Sequence, residues 1–332
     1  MKIARRSATL GLLLGTVAMM SGFAGVAKAE DIEVAYLSAS SANTWLAVSL
    51  AEMKKVAEAN GIKLTEFDAQ FDPAKQTAQV QDVIASGKYK GMIFVALTGA
   101  GAIPDVKAAL ESGMQVVGLN QVIGDNLQTS DPQVEGMAAS VMASPYRSGV
   151  RLGKLAIKAC ENVDPCGVAY LYGIKGIPLD VAMRQGFDDT IKDHANISVV
   201  AEGEGKYLGP DGGIAATQDI LQLNKPFQVM IGSDQSIQGS AIALKDAGMA
   251  PGTVKLIGLG GSSPAIDGIK DGSWYGTVFG APADEGRLAM EALVKALKDG
   301  TASGGIDPLT TIPDEGLVTK ENVDKFTAQW NG

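Results

Sequence analysis

Short apolar segments alternate with amphipathic segments along almost the whole chain, and this alternation limits the folds available to it. The segment 32–37 is apolar, and Leu46, Leu50, Met53 and Ala57 then recur at spacings of 4, 3 and 4. That spacing predicts a helix, and Gly61 predicts its end. Strands that alternate with helices in this way predict parallel sheets covered by helices on both faces.

The alternation runs twice. We predict strands at 32–37, 62–67, 91–97, 115–119, 167–172, 197–201, 227–232, 254–259 and 274–279, and helices at about 146–160, 179–193, 212–223, 236–247, 264–271, 283–298 and 320–330. The two runs separate near residue 144. The predicted fold class is therefore α/β, with two doubly wound parallel-sheet lobes.

The first 29 residues have the pattern of a secretory signal peptide. Lys2, Arg5 and Arg6 precede an apolar run over about 8–24, and the small residues at 27 and 29 fit a cleavage site. We expect export into the periplasm with residue 30 first. Cleavage also removes Lys28, leaving 24 basic and 37 acidic residues, a net charge of −13. An acidic surface without a basic stripe argues against binding to nucleic acid or anionic membranes.

The chain has two cysteines, Cys160 and Cys166. In an oxidising compartment their spacing favours a disulfide that closes a short loop, the alternative being two separate thiols. Two sulfurs without a nearby histidine make a poor metal site, so no metal is expected.

Ligands of open parallel sheets bind beyond the carboxyl ends of the strands, so the loops that follow strands are the candidate binding loops. One or two aromatic residues lie there among amides and hydroxyls. An amide both donates and accepts hydrogen bonds, as a sugar hydroxyl does, and an aromatic ring packs on the C–H face of a sugar. Each residue alone also fits an ordinary packing or turn role. The candidates read from these loops are Asn43, Trp45, Thr98, Asn120, Gln121, Tyr207, Ser233 and Asp234.

Enzyme chemistry has little support in the sequence. The only histidine, His194, lies in a polar segment at a predicted helix end. The segment 98–104, TGAGAIP, resembles a glycine-rich dinucleotide-binding motif. It has two glycines and follows the third strand, whereas that motif normally has three glycines and follows the first strand. An exported NAD-dependent enzyme is therefore the remote alternative, and we expect no catalytic residue and no cofactor.

Four segments in order resemble the periplasmic sugar-binding proteins of ABC transporters, of the ribose-binding type. They are FDAQFDPAKQTAQVQDVIASGKYKGMIFVAL at 67–97, QVVGLNQ at 115–121, MRQGFDDTI at 183–191 and MIGSDQSIQGSAIALKDAG at 230–248. The resemblance implies three crossings between the lobes, near Ser144, 280–282 and 311–313. It places 30–143 and 281–311 in the N-terminal lobe, and 144–280 and 312–332 in the C-terminal lobe.

The same resemblance implies a monomer that closes on a sugar or polyol and docks on an ABC permease in the inner membrane. A receptor of the same fold for a non-sugar solute, such as a nucleoside or a furanone signal, is the alternative within the family. A regulator of the lac-repressor type shares the lobes but would need a DNA-binding head where the signal peptide lies.

The chain departs from the ribose-binding pattern at several positions of the site. Asn120 and Gln121 stand where the family often has Asp-Arg, while Gly260 and Gly280 stand where ribose binders have Asp and Gln. Arg184 lies one residue away from the position of the family's arginine. On a helix, one residue corresponds to a rotation of about 100°. We therefore expect that ribose is not the ligand, and that a larger or less hydroxylated polyol fits the space left by the missing side chains.

Overall fold

The computed structural model describes residues 32–310 and 312–332. The signal peptide predicted at 1–29 lies outside them, as does Thr311 of the third predicted crossing. In chain order the strands are β1 (Ile32–Ser38), β2 (Ile62–Asp68), β3 (Gly91–Phe94), β4 (Gln115–Leu119), β5 (Ala139–Val141), β6 (Cys166–Tyr172), β7 (Ile197–Glu204), β8 (Val229–Ile231), β9 (Lys255–Gly260), β10 (Gly276–Phe279), β11 (Gly304–Ile306) and β12 (Leu317–Thr319).

These strands form two six-stranded sheets, in the orders β11-β5-β4-β3-β1-β2 and β12-β10-β9-β8-β6-β7. Every pairing is parallel except that of β12 with β10. Two doubly wound α/β lobes are therefore confirmed, and the second sheet has an antiparallel edge strand.

Helices connect the strands and cover both sheets. They are α1 (Thr44–Ala59), α2 (Pro73–Ala85), α3 (Ile103–Glu111), α4 (Pro145–Ala159), α5 (Pro178–Ile191), α6 (Pro210–Gln222), α7 (Asp234–Asp246), α8 (Ser263–Asp271) and α9 (Pro282–Asp299). Several of these helices begin with a side-chain cap whose residue type can be recognised in the sequence. Asp72, for example, accepts hydrogen bonds from the backbone N–H groups of Ala74 and Lys75 ahead of Pro73.

The chain returns to the first sheet after completing five strands of the second. Helix α9 packs on the first sheet, where Met290 and Leu293 share a core with Val34 and Tyr36. Strand β11 then extends the first sheet, and β12 the second. The chain thus passes between the sheets three times, and the single-residue lobe boundaries given above stay a prediction.

Three short strands and the last helix differ from the sequence prediction. Strands β5, β11 and β12 were not predicted; each has three residues, and two of them are edge strands. The helix predicted at 320–330 is wrong: after β12 the chain makes a single turn at Val323–Lys325. The side chain of Asn322 accepts from the Thr319 N–H and donates to the Leu317 carbonyl, and such side-chain bonds compete with helix formation.

The structure joins Cys160 and Cys166 in a disulfide between the end of α4 and the start of β6. Its sulfurs lie at the amino end of the second sheet, opposite the loops that follow the strands. Among the described helices, none combines the length and the apolar character that crossing a bilayer requires.

Candidate functional site

A pocket lies where the loops after the strands of both sheets face each other. It collects residues from the ends of β1, β4 and β9, the starts of α1, α4, α5 and α9, and the C-terminal segment. Its walls are formed by Ala39, Asn43, Trp45, Leu46, Phe71, Val95, Asn120, Gln121, Ala143, Pro145, Ser148, Ile177, Leu179, Met183, Tyr207, Ser233, Gln235, Leu259, Phe279, Gly280, Glu285, Leu309 and Trp330. Six of the nine predicted ligand-binding residues are among them: Asn43, Trp45, Asn120, Gln121, Tyr207 and Ser233.

Two hydrogen bonds join the start of α1, in the first lobe, to the second lobe at this pocket. The Asn43 amide donates to the Tyr207 carbonyl oxygen at 3.0 Å, while its oxygen caps α1 by accepting from the Leu46 N–H. The Gln235 amide donates to the Thr44 hydroxyl at 2.7 Å. The start of α1 is therefore tied to both the 205–209 loop and the start of α7, so the lobes are in contact around the pocket.

Trp45 is half-buried and is fixed at both ends of its ring system. Its indole N–H donates to the Glu285 carboxylate at 2.8 Å. Its ring meets the edge of Trp330, with centroids 5.3 Å apart and planes at 75°. Trp330 in turn donates its indole N–H to the Gly260 carbonyl at 2.9 Å. Both indole N–H groups thus point into protein, and carbon surface of the two rings lines the pocket.

Glu285, on the first turn of α9, is a site residue that sequence reasoning missed. It is 1% exposed, and its carboxylate accepts from Trp45, from the Asn120 amide at 3.1 Å and from the Ala143 N–H. Burial raises its pKa to about 7, although these donors act in the opposite direction. In the sequence, Glu285 looks like an ordinary exposed residue of a long helix. Its burial against Trp45 depends on how α9 packs in the folded protein, which the sequence pattern does not show.

Trp330 lies at the end of the segment predicted as a terminal helix, and its place in the pocket was also missed. It is 5% exposed, and the backbone carbonyl of the same residue accepts from the Ser263 N–H. Next to it, the Gln329 side chain accepts from the N–H groups of Ala283 and Asp284 at the start of α9. The last residues of the chain therefore contact both the second lobe and the first turn of α9.

The two glycines that replace polar residues of ribose binders do not enlarge the pocket. A Cβ at Gly280 would lie closer than 3.0 Å to the Trp45 ring, and a Cβ at Gly260 would lie 2.6 Å from the Trp330 ring. The expectation that missing side chains leave room for a larger ligand is therefore wrong at these positions. The glycines let two tryptophans approach the backbone instead.

Gln121 follows β4 and is 6% exposed, yet its side-chain oxygen has no hydrogen-bond partner. Asn120 beside it has a positive φ of 62°, a conformation that asparagine tolerates better than most residues. Tyr207 has a φ of 55°, and its hydroxyl donates to Asp180 at 3.1 Å. Unusual backbone geometry at two wall residues is typical of sites where function constrains the chain.

Three predicted site residues, Thr98, Asp234 and Arg184, lie outside the pocket walls. Thr98 is exposed at the start of the turn Gly99–Ala102. Asp234 is fully buried and accepts from the Ser262 N–H at 2.6 Å and the Thr277 hydroxyl at 2.9 Å. Burial raises its pKa to about 6. Its position supports the β9 loop and places no free carboxylate in the pocket.

Arg184 also lies outside the pocket. Its guanidinium binds Asp188 at 2.8 Å, pairs with Glu202 and lies 5.3 Å from the Tyr170 ring centroid. Burial lowers the pKa of Arg184, but the two carboxylates outweigh that effect and raise it overall. Arg184, which lies one residue from the family's position, is therefore held in ion pairs with Asp188 of α5 and Glu202 of β7.

The pocket is suited to binding rather than to bond breaking. Within 32–310 and 312–332 no group of histidine, cysteine and carboxylate side chains could hold a metal ion. The single carboxylate on the wall, Glu285, is held by three donors, and its neighbours are amides, hydroxyls and apolar side chains. Such walls orient a small molecule by shape and a few hydrogen bonds.

Comparison with known proteins places this geometry in a family. Residues 34–302 match the model described as a periplasmic binding protein domain. The galactofuranose-binding protein YtfQ of Escherichia coli is 26% identical over 294 residues, covering 87% of this chain and 89% of that protein. The ribose import binding protein RbsB of Salmonella typhimurium is 25% identical over 292 residues, covering 87% and 92%.

A solved structure shows the same fold. The myo-inositol binding protein of Caulobacter, bound to myo-inositol, superposes with a TM-score of 0.77 at 20% identity, covering 90% of this chain and 97% of that one. The members compared are solute-binding proteins and not enzymes. By the match over most of its length, the chain belongs to the periplasmic binding protein family.

Proposed function

We propose that this protein is a periplasmic receptor that captures a sugar or polyol between its two lobes and delivers it to an ABC importer. The observation that carries the proposal is the pocket between the lobes, with two tryptophans and four amide side chains on its walls. Aromatic carbon packs on sugar C–H groups, and amides hydrogen-bond hydroxyls. The named relatives that bind galactofuranose and ribose support the same class of ligand.

The closing motion is part of the proposal. The bonds of Asn43 with Tyr207 and of Gln235 with Thr44 join the lobes only when they face each other closely. Rotation of one lobe against the other about the crossings near Ser144, 280–282 and 311–313 would break both bonds and expose the pocket. Hinge closure around a ligand is the usual way in which two-lobed receptors enclose it.

Of the predicted ligand-binding residues, we propose direct roles for those on the walls. Trp45 offers its ring, and Gln121 offers a carboxamide whose oxygen has no protein partner. Because uncharged amides replace the Asp-Arg pair of ribose binders, we further propose that ribose is a poor ligand. We also propose secretion through the predicted signal peptide, a monomeric state, and docking on a permease of the inner membrane.

A thermal-shift screen of residues 30–332 against pentoses, hexoses, polyols, nucleosides, a furanone signal and NAD tests the proposal. A ligand at 100 times its dissociation constant adds about 2.7 kcal/mol to the free energy of unfolding, a shift of several degrees for a chain of this size. We expect one or a few sugars or polyols to raise the melting temperature. The Trp45→Ala variant should lose that shift.

Other outcomes would overturn parts of the proposal. A shift with a nucleoside or a furanone alone would keep the receptor and replace the substrate class. A shift with NAD alone would contradict both. A strong shift with ribose, while other sugars are silent, would contradict the expectation drawn from the amide pair.

A further inference from the structure

Most polar groups on the pocket walls are already hydrogen-bonded within the protein. Asn43 uses its oxygen for the Leu46 N–H and its amide for Tyr207. The indole N–H of Trp45 is bound by Glu285, and the Tyr207 hydroxyl by Asp180. A ligand hydroxyl placed against these groups would find few free partners.

The remaining polar side chains are bonded only in part, and among the described residues the oxygens of Asn120 and Gln235 and the Ser148 hydroxyl have no hydrogen-bond partner. The amide of Asn120 donates to Glu285, the amide of Gln235 donates to Thr44, and the Ser233 hydroxyl bonds Ser236. Gln121 differs, because its side-chain oxygen is buried without a partner. A buried acceptor left unpaired costs free energy, and the NH2 group of Gln121, also without a protein partner, is the end of this side chain that can meet a ligand.

The wall contributed by the second lobe is largely apolar. Ile177, Leu179, Met183 and Leu259 line it. Burying a hydroxyl against such side chains without a partner is unfavourable, whereas burying a methyl group there is favourable. This wall therefore favours a ligand that carries carbon where a simple hexose carries a hydroxyl.

The ionisable side chains on and directly behind the pocket wall are acidic. Within the described part of the chain, no lysine or arginine is among the wall residues, and Glu285 is the one carboxylate on the wall. Asp180 and Asp234 lie just behind it, with pKa values that burial raises to about 6. A carboxylate or phosphate on the ligand would meet this acidic surrounding without a cation to pair with.

We infer that the ligand is an uncharged deoxy sugar, hydrogen-bonded to Gln121 and carrying an apolar substituent against the second-lobe wall. This inference rests on the proposed function and narrows its substrate class. Of the residues that carry it, Ile177, Leu179 and Leu259 lie outside the four segments that resemble ribose binders, whereas Gln121 and Met183 lie within them.

Titration calorimetry with matched sugars tests the inference. The probes are D-fucose, D-galactose and D-galacturonate, then D-quinovose, D-glucose and D-glucuronate, and finally D-rhamnose with D-mannose. In each series that binds, we expect the 6-deoxy sugar to bind at least tenfold more tightly than its parent hexose, since one misplaced hydroxyl in an apolar site costs at least that factor. The uronates should not bind.

Two pairs of variants connect this preference to the wall. Leu179→Gln places an amide on the apolar wall at a half-buried position and should reduce the preference for the 6-deoxy sugar at least threefold. Val181→Gln is the matched control, because Val181 lies on the same helix with 43% exposure and away from the walls. Gln121→Ala should weaken both sugars of a pair at least tenfold, while Gln79→Ala on α2 should change neither.

The failures of the two proposals are distinguishable. A parent hexose or a uronate that binds as tightly as the 6-deoxy sugar overturns the deoxy-sugar inference and leaves the sugar receptor intact. No binding by any sugar of this panel or of the thermal-shift screen overturns both. An unchanged preference in Leu179→Gln also contradicts the role given to the second-lobe wall.

Discussion

Glu285 shows how one buried side chain can orient several residues of the pocket wall. Its carboxylate accepts hydrogen bonds from Trp45 and Asn120, which come from separate loops, and from the backbone of Ala143 beside the first crossing. No cation compensates it among its hydrogen-bond partners. The donors orient the two side chains toward the pocket, and burial holds the pKa of the carboxyl near 7.

The raised pKa of Glu285 predicts a loss of stability with rising pH. An acid with a folded-state pKa of about 7 and an ordinary value of 4.5 binds more protons in the folded state between those values. Stability therefore falls as pH rises through this window. Between pH 5 and pH 8 the contribution of Glu285 should fall by about 2–3 kcal/mol.

Urea unfolding of the wild type and of Glu285→Gln at pH 5 and pH 8 measures this contribution. Asp180 and Asp234 titrate in the same direction in both proteins, because burial raises their pKa values as well. The difference between the two proteins thus isolates Glu285. An equal change with pH in both would show that this carboxyl does not titrate in the window.

At the scale of elements, helix pairs pack unusually closely through glycines. A Cβ at Gly149 of α4 would collide with the backbone of Met183 on α5, and a Cβ at Gly186 of α5 would collide with the backbone of Tyr146 on α4. A glycine also allows close packing of α9 on α1, because a Cβ at Gly286 would collide with the backbone of Ser49. Both pairs present wall residues, since α5 carries Met183 and α1 carries Trp45.

Gly149→Ala should therefore destabilise the protein, although alanine is the better helix former. In an open helical position the change would add about 1 kcal/mol. Here the added methyl forces α4 and α5 apart, and overpacking of this kind costs about 1–3 kcal/mol. The measurement is the free energy of unfolding in urea, with the exposed Gln185→Ala on α5 as control, expected within about 0.5 kcal/mol of wild type. A stabilised Gly149→Ala would refute the close packing.

The order of elements was readable from the sequence, whereas the contacts between distant elements were not. Periodicity and caps such as Asp72 predict the long helices and buried strands because these signals are local. The three-residue strands β5, β11 and β12 carry too little pattern to be recognised. The side-chain bonds of Asn322 compete with a helix in the last segment. Loops after strands supplied eight of the nine candidates, and six of these lie on the pocket walls, but Glu285 and Trp330 reach the pocket only through long-range packing.

At the scale of the whole molecule, closure depends on a small number of bonds between the lobes. The bond from Gln235 to Thr44 is the more informative of the two described at the pocket, because Thr44 is exposed and is not on the walls. Asn43, by contrast, also caps α1, so its removal would alter the helix as well. Thr44 thus allows closure to be weakened without changing a residue that faces the ligand.

Thr44→Val should lower the affinity for the sugar found in the screen by about three- to tenfold. The change keeps the side-chain shape and removes the acceptor of Gln235, and a hydrogen bond of this kind contributes about 0.5–1.5 kcal/mol to the closed state. Because the lost bond holds the pocket shut, most of the effect should be a faster dissociation rate, measured by stopped-flow tryptophan fluorescence. Ser41→Ala is the matched control: it removes a bond to Asp68 within the first lobe from the same loop, so its rates should match wild type. Equal dissociation rates in Thr44→Val and wild type would show that this bond does not contribute to closure, and the Asn43 and Gln329 bonds, the ligand and the apolar walls would then hold the lobes together.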